Sequence, residues 1–505
     1  MAFTSTAQRY ESFVEKKRLV ADLNAALQLL SWDQEIYMPN GAAGIRARQV
    51  GALSELRHEI VLEHVYPLAK ALAEADGLTE HQRLNVNQSL AELTRVVRLP
   101  KAFVAEQAAH TSRSQMAWER AKAKSDFSLF EAELTKTYEL KRQEAEYYGY
   151  TGEAYDALLD TYDPGLTSAF LVPLFTRMRS QLQSLINELR NAPQPPTAFL
   201  NQRISKDSQW NFGLGVLKYM GFDFDRGRQD ISTHPFTTGT SPDDVRITTH
   251  INEYNIAQML YGTIHEGGHA LYEQGLPAEH YGLPACEACS LSIHESQSRI
   301  WENNIGRSLP FWKFHFEGFA QLFPDRLRNL QPEDVFRAVN VVEPSLIRIM
   351  ADELTYHFHI MIRFELERAL ISRELAVKDL PAAWNEKYAE YLGITPSADS
   401  EGVLQDIHWS IGAIGYFPTY SLGSFYAAQF YAHALNQNPA LEDQFKSGHT
   451  GWFVNWLKQE VYSRGRLYSS NDLCRLITGE DLTVDYFLRY IRNKMEQVYA
   501  ITLVV

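Results

Sequence analysis

Cysteine is nearly missing from this chain: three in 505 residues, Cys286, Cys289 and Cys474. So odd and sparse a set excludes a disulfide framework and fits a reducing compartment. There is no run of eighteen or more apolar residues, so no transmembrane helix is expected. Basic residues are in deficit, 48 Lys and Arg against 62 Asp and Glu, for a net charge of −14. Broad nucleic-acid binding needs a basic footprint and is excluded. Met1 to Leu19 mixes Glu and Lys without an apolar core, so no secretory signal is expected and the location reads as cytoplasmic. Strand signal is scarce too, as are internal repeats and low-complexity tracts.

Helical periodicity is plentiful. Phe13, Val20, Leu23, Leu27 and Leu30 fall at three- and four-residue steps, a stripe that stops near Met38-Pro39-Asn40-Gly41. Further helical runs cover roughly 43–75, 79–97, 101–122, 126–148 and 168–191. Asp163-Pro164-Gly165 reads as a turn and Asn191-Ala192-Pro193-Gln194-Pro195-Pro196 as a linker. Asp244-Val245-Arg246-Ile247-Thr248-Thr249 is the best strand, alternating apolar and polar. The fold class is mainly α, with a small sheet beside the site described next. A chain of this length forms one large domain, 1–505, with helical lobes expected at about 1–190 and 200–505.

The chemistry is concentrated in His265-Glu266-Gly267-Gly268-His269. Histidines four apart on a helix stack on one face and can offer two imidazole nitrogens to one metal ion. Glu266 sits one step round, placed for a water rather than for the metal. The surrounding helix is expected from about Asn255 to Gln274, with Gly275 suited to a left-handed C′ position before Pro277. Glycines at 267 and 268 cost about 1 kcal/mol each relative to alanine, so close approach of another backbone or of substrate is expected there.

A hydrolytic zinc needs three protein ligands and one open position. Glu295 follows His269 by twenty-six residues, on a second helix expected from Ser290 to Gly306. That is the gluzincin arrangement, and Glu295 is the expected third ligand. His294 competes with it, but neighbours on a helix point about 100° apart, so one of the two can aim at the metal. A plain Glu295–Arg299 ion pair at i,i+4 is the structural alternative. Cys286-x-x-Cys289 lacks a second ligand pair and a thioredoxin-like βαβ context, so two ordinary thiols in a loop are expected.

Five motifs in order resemble the carboxypeptidase Taq family of metallocarboxypeptidases. They are His234-Pro235-Phe236, Asp244-Val245-Arg246-Ile247-Thr248, His265-Glu266-Gly267-Gly268-His269, His294-Glu295-Ser296-Gln297 and Gln405-Asp406-Ile407-His408-Trp409. The resemblance spans essentially the whole chain, including Trp32-Asp33. It implies an elongated, two-lobed helical fold like that of neurolysin and angiotensin-converting enzyme, with a deep central cleft. It further implies a homodimer and one zinc-type ion per chain, with cobalt or another divalent ion as a substitute.

In that resemblance His265, His269 and Glu295 hold the metal and Glu266 is the general base. His408 and Tyr420 stabilise the oxyanion, with Tyr416 the alternative tyrosine and a substrate contact. His234 is a further substrate contact. A carboxypeptidase must also grip a free C-terminal carboxylate, which suits an arginine fork. A helix expected from about Pro344 to Ile371 aligns Arg348, Asp352, Thr355, His359 and Arg363 on one side, with Ile347, Met350, Leu354, Phe358 and Met361 as its core face. The resemblance makes Arg348 the carboxylate anchor, with Arg246 as rival. Asp406 either orients a ligand histidine or makes a structural hydrogen bond.

The expected activity is therefore removal of C-terminal residues from peptides with a free C-terminus. An oligoendopeptidase or dipeptidyl carboxypeptidase of the same class is the near alternative, and a blocked C-terminus separates them. A di-iron helical-bundle oxidase would use Glu55–His58 with Glu266–His269, but gives His265 no role. An inactive binding scaffold would have no use for an intact ligand set and its base.

Overall fold

The apolar repeats become helices close to where periodicity places them. The structure, a computed structural model, describes residues 5–323 and 330–503. The first helix, Thr6–Ile36, is capped by Ser5, whose side chain accepts from the Gln8 amide. Phe13 and Val20 of its stripe are buried in a cluster with Val65, Leu72, Val86 and Leu93. Each such apolar side chain contributes about 1.5–3 kcal/mol when fully buried. Leu23, Leu27 and Leu30 are only half-buried. The later runs resolve as Ala43–Ile60, continued through a π-helical turn into Tyr66–Ala73, then Glu80–Arg98, Lys101–Lys124, Glu131–Tyr148 and Ser168–Leu189. None of the described helices is long and apolar enough to cross a membrane.

Among the described residues there is one sheet of three short strands, β1 (Gly227–Ile231), β2 (Thr237–Ser241) and β3 (Asp244–Thr249). Its order is β1-β3-β2, with β1 parallel and β2 antiparallel to β3. β3 has the bounds the alternation predicts. β1 and β2 carry no such pattern (Gly-Arg-Gln-Asp-Ile and Thr-Thr-Gly-Thr-Ser), because pairing with β3 and not amphipathicity makes them strands.

Two compact units divide the chain. One gathers Met1–Val97, Pro196–Val339 and Phe430–Asp481; the other gathers Arg98–Pro195, Asn340–Gln429 and Leu482–Val505. The chain changes unit at Pro195–Pro196, inside the expected linker, but neither unit is one of the consecutive lobes 1–190 and 200–505. Contacts remote in sequence build both: the Gln88 amide donates to the Leu467 carbonyl in the first, and the Trp118 indole to that of Leu404 in the second.

The largest departure from sequence expectation lies between Pro344 and Thr355. The helix there begins only at Tyr356 and runs to Ser372. Arg348–Met350 is a single 3₁₀ turn. Asp352 takes the backbone amides of Glu343, Leu354 and Thr355 and the Thr355 hydroxyl, a side-chain-to-backbone pattern that competes with helix. Of the expected core face, Leu354, Phe358 and Met361 are buried, Ile347 is half-buried and Met350 is exposed at 55%. The predicted polar stripe is broken: His359 and Arg363 lie on the helix, while Arg348, Asp352 and Thr355 precede it.

Candidate metal centre

The HExxH segment lies in the helix Ile256–Gly275, begun by Asn255, whose side chain accepts from the Gln258 amide. Its central glycines are explained by close packing. A Cβ on Gly268 would lie 2.6 Å from the Gln297 carbonyl oxygen, and one on Gly267 would lie 2.7 Å from a Leu217 methyl. The absent side chain at Gly268 lets the helix Leu291–Arg299, which carries Glu295, pack directly on the histidine helix, while Gly267 makes room for the helix Lys206–Met220. Gly275 is not the left-handed cap expected. It is the last helical residue, followed by extended Leu276, and glycine is required because a Cβ there would strike the Tyr462 ring at 2.2 Å.

This packing brings three donors together. Nε2 of His269 is 3.4 Å from Glu295 Oε2, and Nε2 of His265 is 3.6 Å from the same oxygen. Ligands about 2.0–2.1 Å from a tetrahedral zinc stand about 3.3 Å apart, so the spacing and the N, N, O chemistry suit such an ion. Among the described residues these three form the only such group of His, Cys, Asp or Glu. The Glu295–Arg299 pair is present too: Arg299 Nε donates to Oε1 at 2.7 Å while Oε2 faces the histidines. The two readings of Glu295 use different oxygens of one carboxylate.

Electrostatics favour an ionised Glu295 and a neutral His269, and draw His265 towards its protonated form. Burial opposes ionisation of Glu295, but Arg299 and both histidines outweigh it and hold its carboxyl well below the usual range. Burial, then the neighbouring His294, push His269 down to about 3. His265 is also penalised by burial, yet Glu295 and Glu302 leave it raised. Burial raises Glu266, partly offset by His265 and by a 2.6 Å hydrogen bond from the Thr237 hydroxyl to Oε2. A buried carboxylate raised in this way is a better proton acceptor for general-base work.

Two partners of this group escaped the sequence reading. Glu302 accepts from His265 Nδ1 at 2.9 Å, which leaves Nε2 free to face Glu295. It lies on a buried π-helical turn, Ile300–Gly306, that continues the Glu295 helix where a regular helix was expected. Its spacing, seven residues after Glu295 and three after Arg299, was the available signal. Thr237 on β2 had no signal. His294, the rival ligand, is turned aside: Nδ1 meets His269 Nδ1 at 2.5 Å and Nε2 meets Glu273 at 2.7 Å.

A second cluster, in the other unit, forms around Asp406. Arg348 donates to Oδ1 from Nε (3.0 Å) and Nη2 (2.9 Å), while fully buried Arg363 donates to Oδ2 from Nε at 2.7 Å. Asp406 therefore orients two arginines and not a ligand histidine, and both drive its carboxyl far below the usual range against burial. Two guanidinium groups share one carboxylate, which leaves positive charge over. His408 Nε2 is 3.0 Å from the Tyr420 hydroxyl, and the Tyr416 ring packs on both. Burial pushes His408 down to about 3, so it is neutral at physiological pH.

The remaining predicted residues stand elsewhere. Arg246 is committed to Asp244 through two hydrogen bonds, 2.8 and 2.9 Å, and lies over the Trp32 ring. Thr248 is fully buried and its hydroxyl accepts from the Phe236 amide, tying down the loop that carries exposed His234. Cys286 and Cys289 are buried, and burial drives the Cys286 thiol up to about 12, as suits ordinary thiols. Glu55 and His58 are exposed.

Comparison with known proteins agrees with the motif order. A family profile described as carboxypeptidase Taq (M32) metallopeptidase matches residues 12–495. Thermostable carboxypeptidase 1 of Thermus thermophilus is 38% identical, over 97% of this chain and 99% of its own length. Carboxypeptidase 1 of Bacillus subtilis is 36% identical over the same shares. The crystal structure of an M32 carboxypeptidase from Deinococcus radiodurans superposes with a TM-score of 0.95 at 38% identity, covering 98% of this chain and 100% of that one.

Proposed function

Because the chain belongs to the carboxypeptidase Taq family of metallopeptidases, we propose that it removes C-terminal residues from peptides through the group His265, His269, Glu295 and Glu266. The observation that carries this reading is the shared Oε2 of Glu295, 3.4 and 3.6 Å from the two imidazole nitrogens, with Glu266 beside them on the same helix. Two nitrogens and one carboxylate oxygen suit zinc, with cobalt or another divalent ion as a substitute. When bound there, such an ion lowers the pKa of a water and polarises the scissile carbonyl.

The chain's own groups do the rest. Glu266 takes a proton from the attacking water and returns one to the leaving amine. Thr237 fixes the orientation of that carboxylate by donating to Oε2. In the free chain His408 and Tyr420 hydrogen-bond each other; with substrate bound they give up that bond and turn their N–H and O–H to the developing oxyanion, with Tyr416 buttressing the pair. Arg348 receives the substrate's C-terminal carboxylate. The surplus positive charge of Arg348 and Arg363 over Asp406 supports that role, as does the commitment of Arg246 to Asp244. His234, exposed on its loop, contacts substrate.

The same reading includes a homodimer and a cytoplasmic location, the latter supported by three buried free thiols. Mass spectrometry of a defined peptide, with and without chelator, tests the activity. A ladder shortened one residue at a time from the C-terminus, abolished by chelator, is expected. Internal cleavage, or removal of dipeptides, would replace it with one of the neighbouring peptidase activities.

A further inference from the structure

His294 stood in the sequence as a rival metal ligand, and both its ring nitrogens are engaged elsewhere. Nδ1 is 2.5 Å from Nδ1 of His269. Nε2 is 2.7 Å from Oε1 of Glu273, one turn beyond His269 on the histidine helix. The ring thus lies between two side chains of the neighbouring helix, in contact with His269 (centroids 4.5 Å) and Tyr272 (5.5 Å). His269 and His294 are largely buried, their side chains 14% and 19% exposed, with Glu273 at 27%.

The hydrogens have one consistent arrangement if Nε2 of His269 is the donor atom turned to Glu295. His269 then carries its proton on Nδ1 and gives that hydrogen bond to His294 Nδ1. His294 in turn carries its proton on Nε2 and donates to the Glu273 carboxylate. His265 is held differently, by a single step from Nδ1 to Glu302.

We propose that His294 and Glu273 are positioning residues for the metal centre: a two-step relay, carboxylate to imidazole to imidazole, that fixes the tautomer and ring plane of His269. The proposal rests on the metal-centre reading above. Its physical basis is that a ligand histidine whose second nitrogen is held loses rotational freedom and gains basicity. The approach of the two helices at Gly268 makes it possible, since it sets His294 within reach of both His269 and Glu273.

Zinc affinity of the full chain, measured by competition with a chromophoric chelator, tests it without reference to activity. His294→Leu is expected to weaken zinc binding by about 10–100-fold. His294→Asn is close to leucine in shape and keeps an acceptor where Nδ1 stood but nothing to meet Glu273, so it is expected to recover part of that loss. Packing damage alone would affect the two variants alike. Wild-type affinity in His294→Leu, or equal losses in both variants, would overturn the relay and leave the metal centre standing. A wild-type chain that takes up no zinc would overturn the metal centre itself, and the relay with it.

Discussion

Gly268 sits directly against the backbone of Gln297: a methyl group on its Cα would lie 2.6 Å from that residue's carbonyl oxygen and 2.7 Å from Ser298 Cα. Backbone cannot rotate aside as a side chain can, so the helices bearing His269 and Glu295 must part to admit a Cβ. Gly268→Ala is therefore expected to cost about 1–3 kcal/mol of stability, the range for overpacking a tight contact. It should also weaken zinc uptake. Gly215→Ala is the control, because a Cβ there meets nothing within 4 Å and alanine favours helix by up to about 1 kcal/mol. Denaturant unfolding of the two variants decides; equal stability would mean that the contact is not tight.

Glu266→Gln keeps side-chain shape and leaves the three metal-binding residues untouched. Metal content by elemental analysis is expected to stay at the wild-type level, with kcat reduced at least ~10²-fold, the low end for a positioned acid–base group. Activity lost only in step with metal would assign Glu266 to binding and not to proton transfer.

Arg348 is 6% exposed and lies in the 3₁₀ turn Arg348–Met350. Truncating one partner of a desolvated charge pair costs about 2–5 kcal/mol, so Arg348→Ala should lower kcat/KM roughly 30- to several-thousand-fold. Wild-type enzyme should discriminate against C-terminally amidated peptides, and the variant should lose most of that discrimination at unchanged metal content. A variant that still prefers free acids by the wild-type ratio moves the anchor elsewhere.

Glu367 gives a pH signature distinct from the metal centre. It is fully buried, accepting from the Tyr155 hydroxyl (2.6 Å), the Trp409 indole (2.7 Å) and the Gly415 amide (2.9 Å). Burial outweighs those bonds and raises its carboxyl from 4.5 to about 7. Between those values the folded chain holds a proton that the unfolded chain has released. This contribution to stability is whole below about pH 4.5 and is lost as pH rises through about 7. Glu367→Gln should remove that slope from a plot of unfolding free energy against pH; an unchanged slope assigns it to other groups.

Much of the site was legible because it is written in local spacing. His265 and His269 share a helix face by a four-residue step, and the helix Ile256–Gly275 departs from its expected bounds by one residue at each end. Mid-helix glycines announced close packing before the packing surface was known. β3 showed its alternation, and five short motifs in order were enough to point to a family.

What the sequence could not determine lies in pairs remote along the chain. Asp352 turned its side chain onto local amides and cut away the first part of the expected helix, a competition between hydrogen-bond partners that periodicity does not register. Arg348 found Asp406 fifty-eight residues away, and Arg246 found the Trp32 ring. Glu302 and Thr237 took up His265 and Glu266 from neighbouring elements. Periodicity is set by a chain's own backbone geometry, so it can be read from order alone. Which charge neutralises which, and which nitrogen of a histidine is held, depend on where helices meet, and that is decided only when the whole core packs.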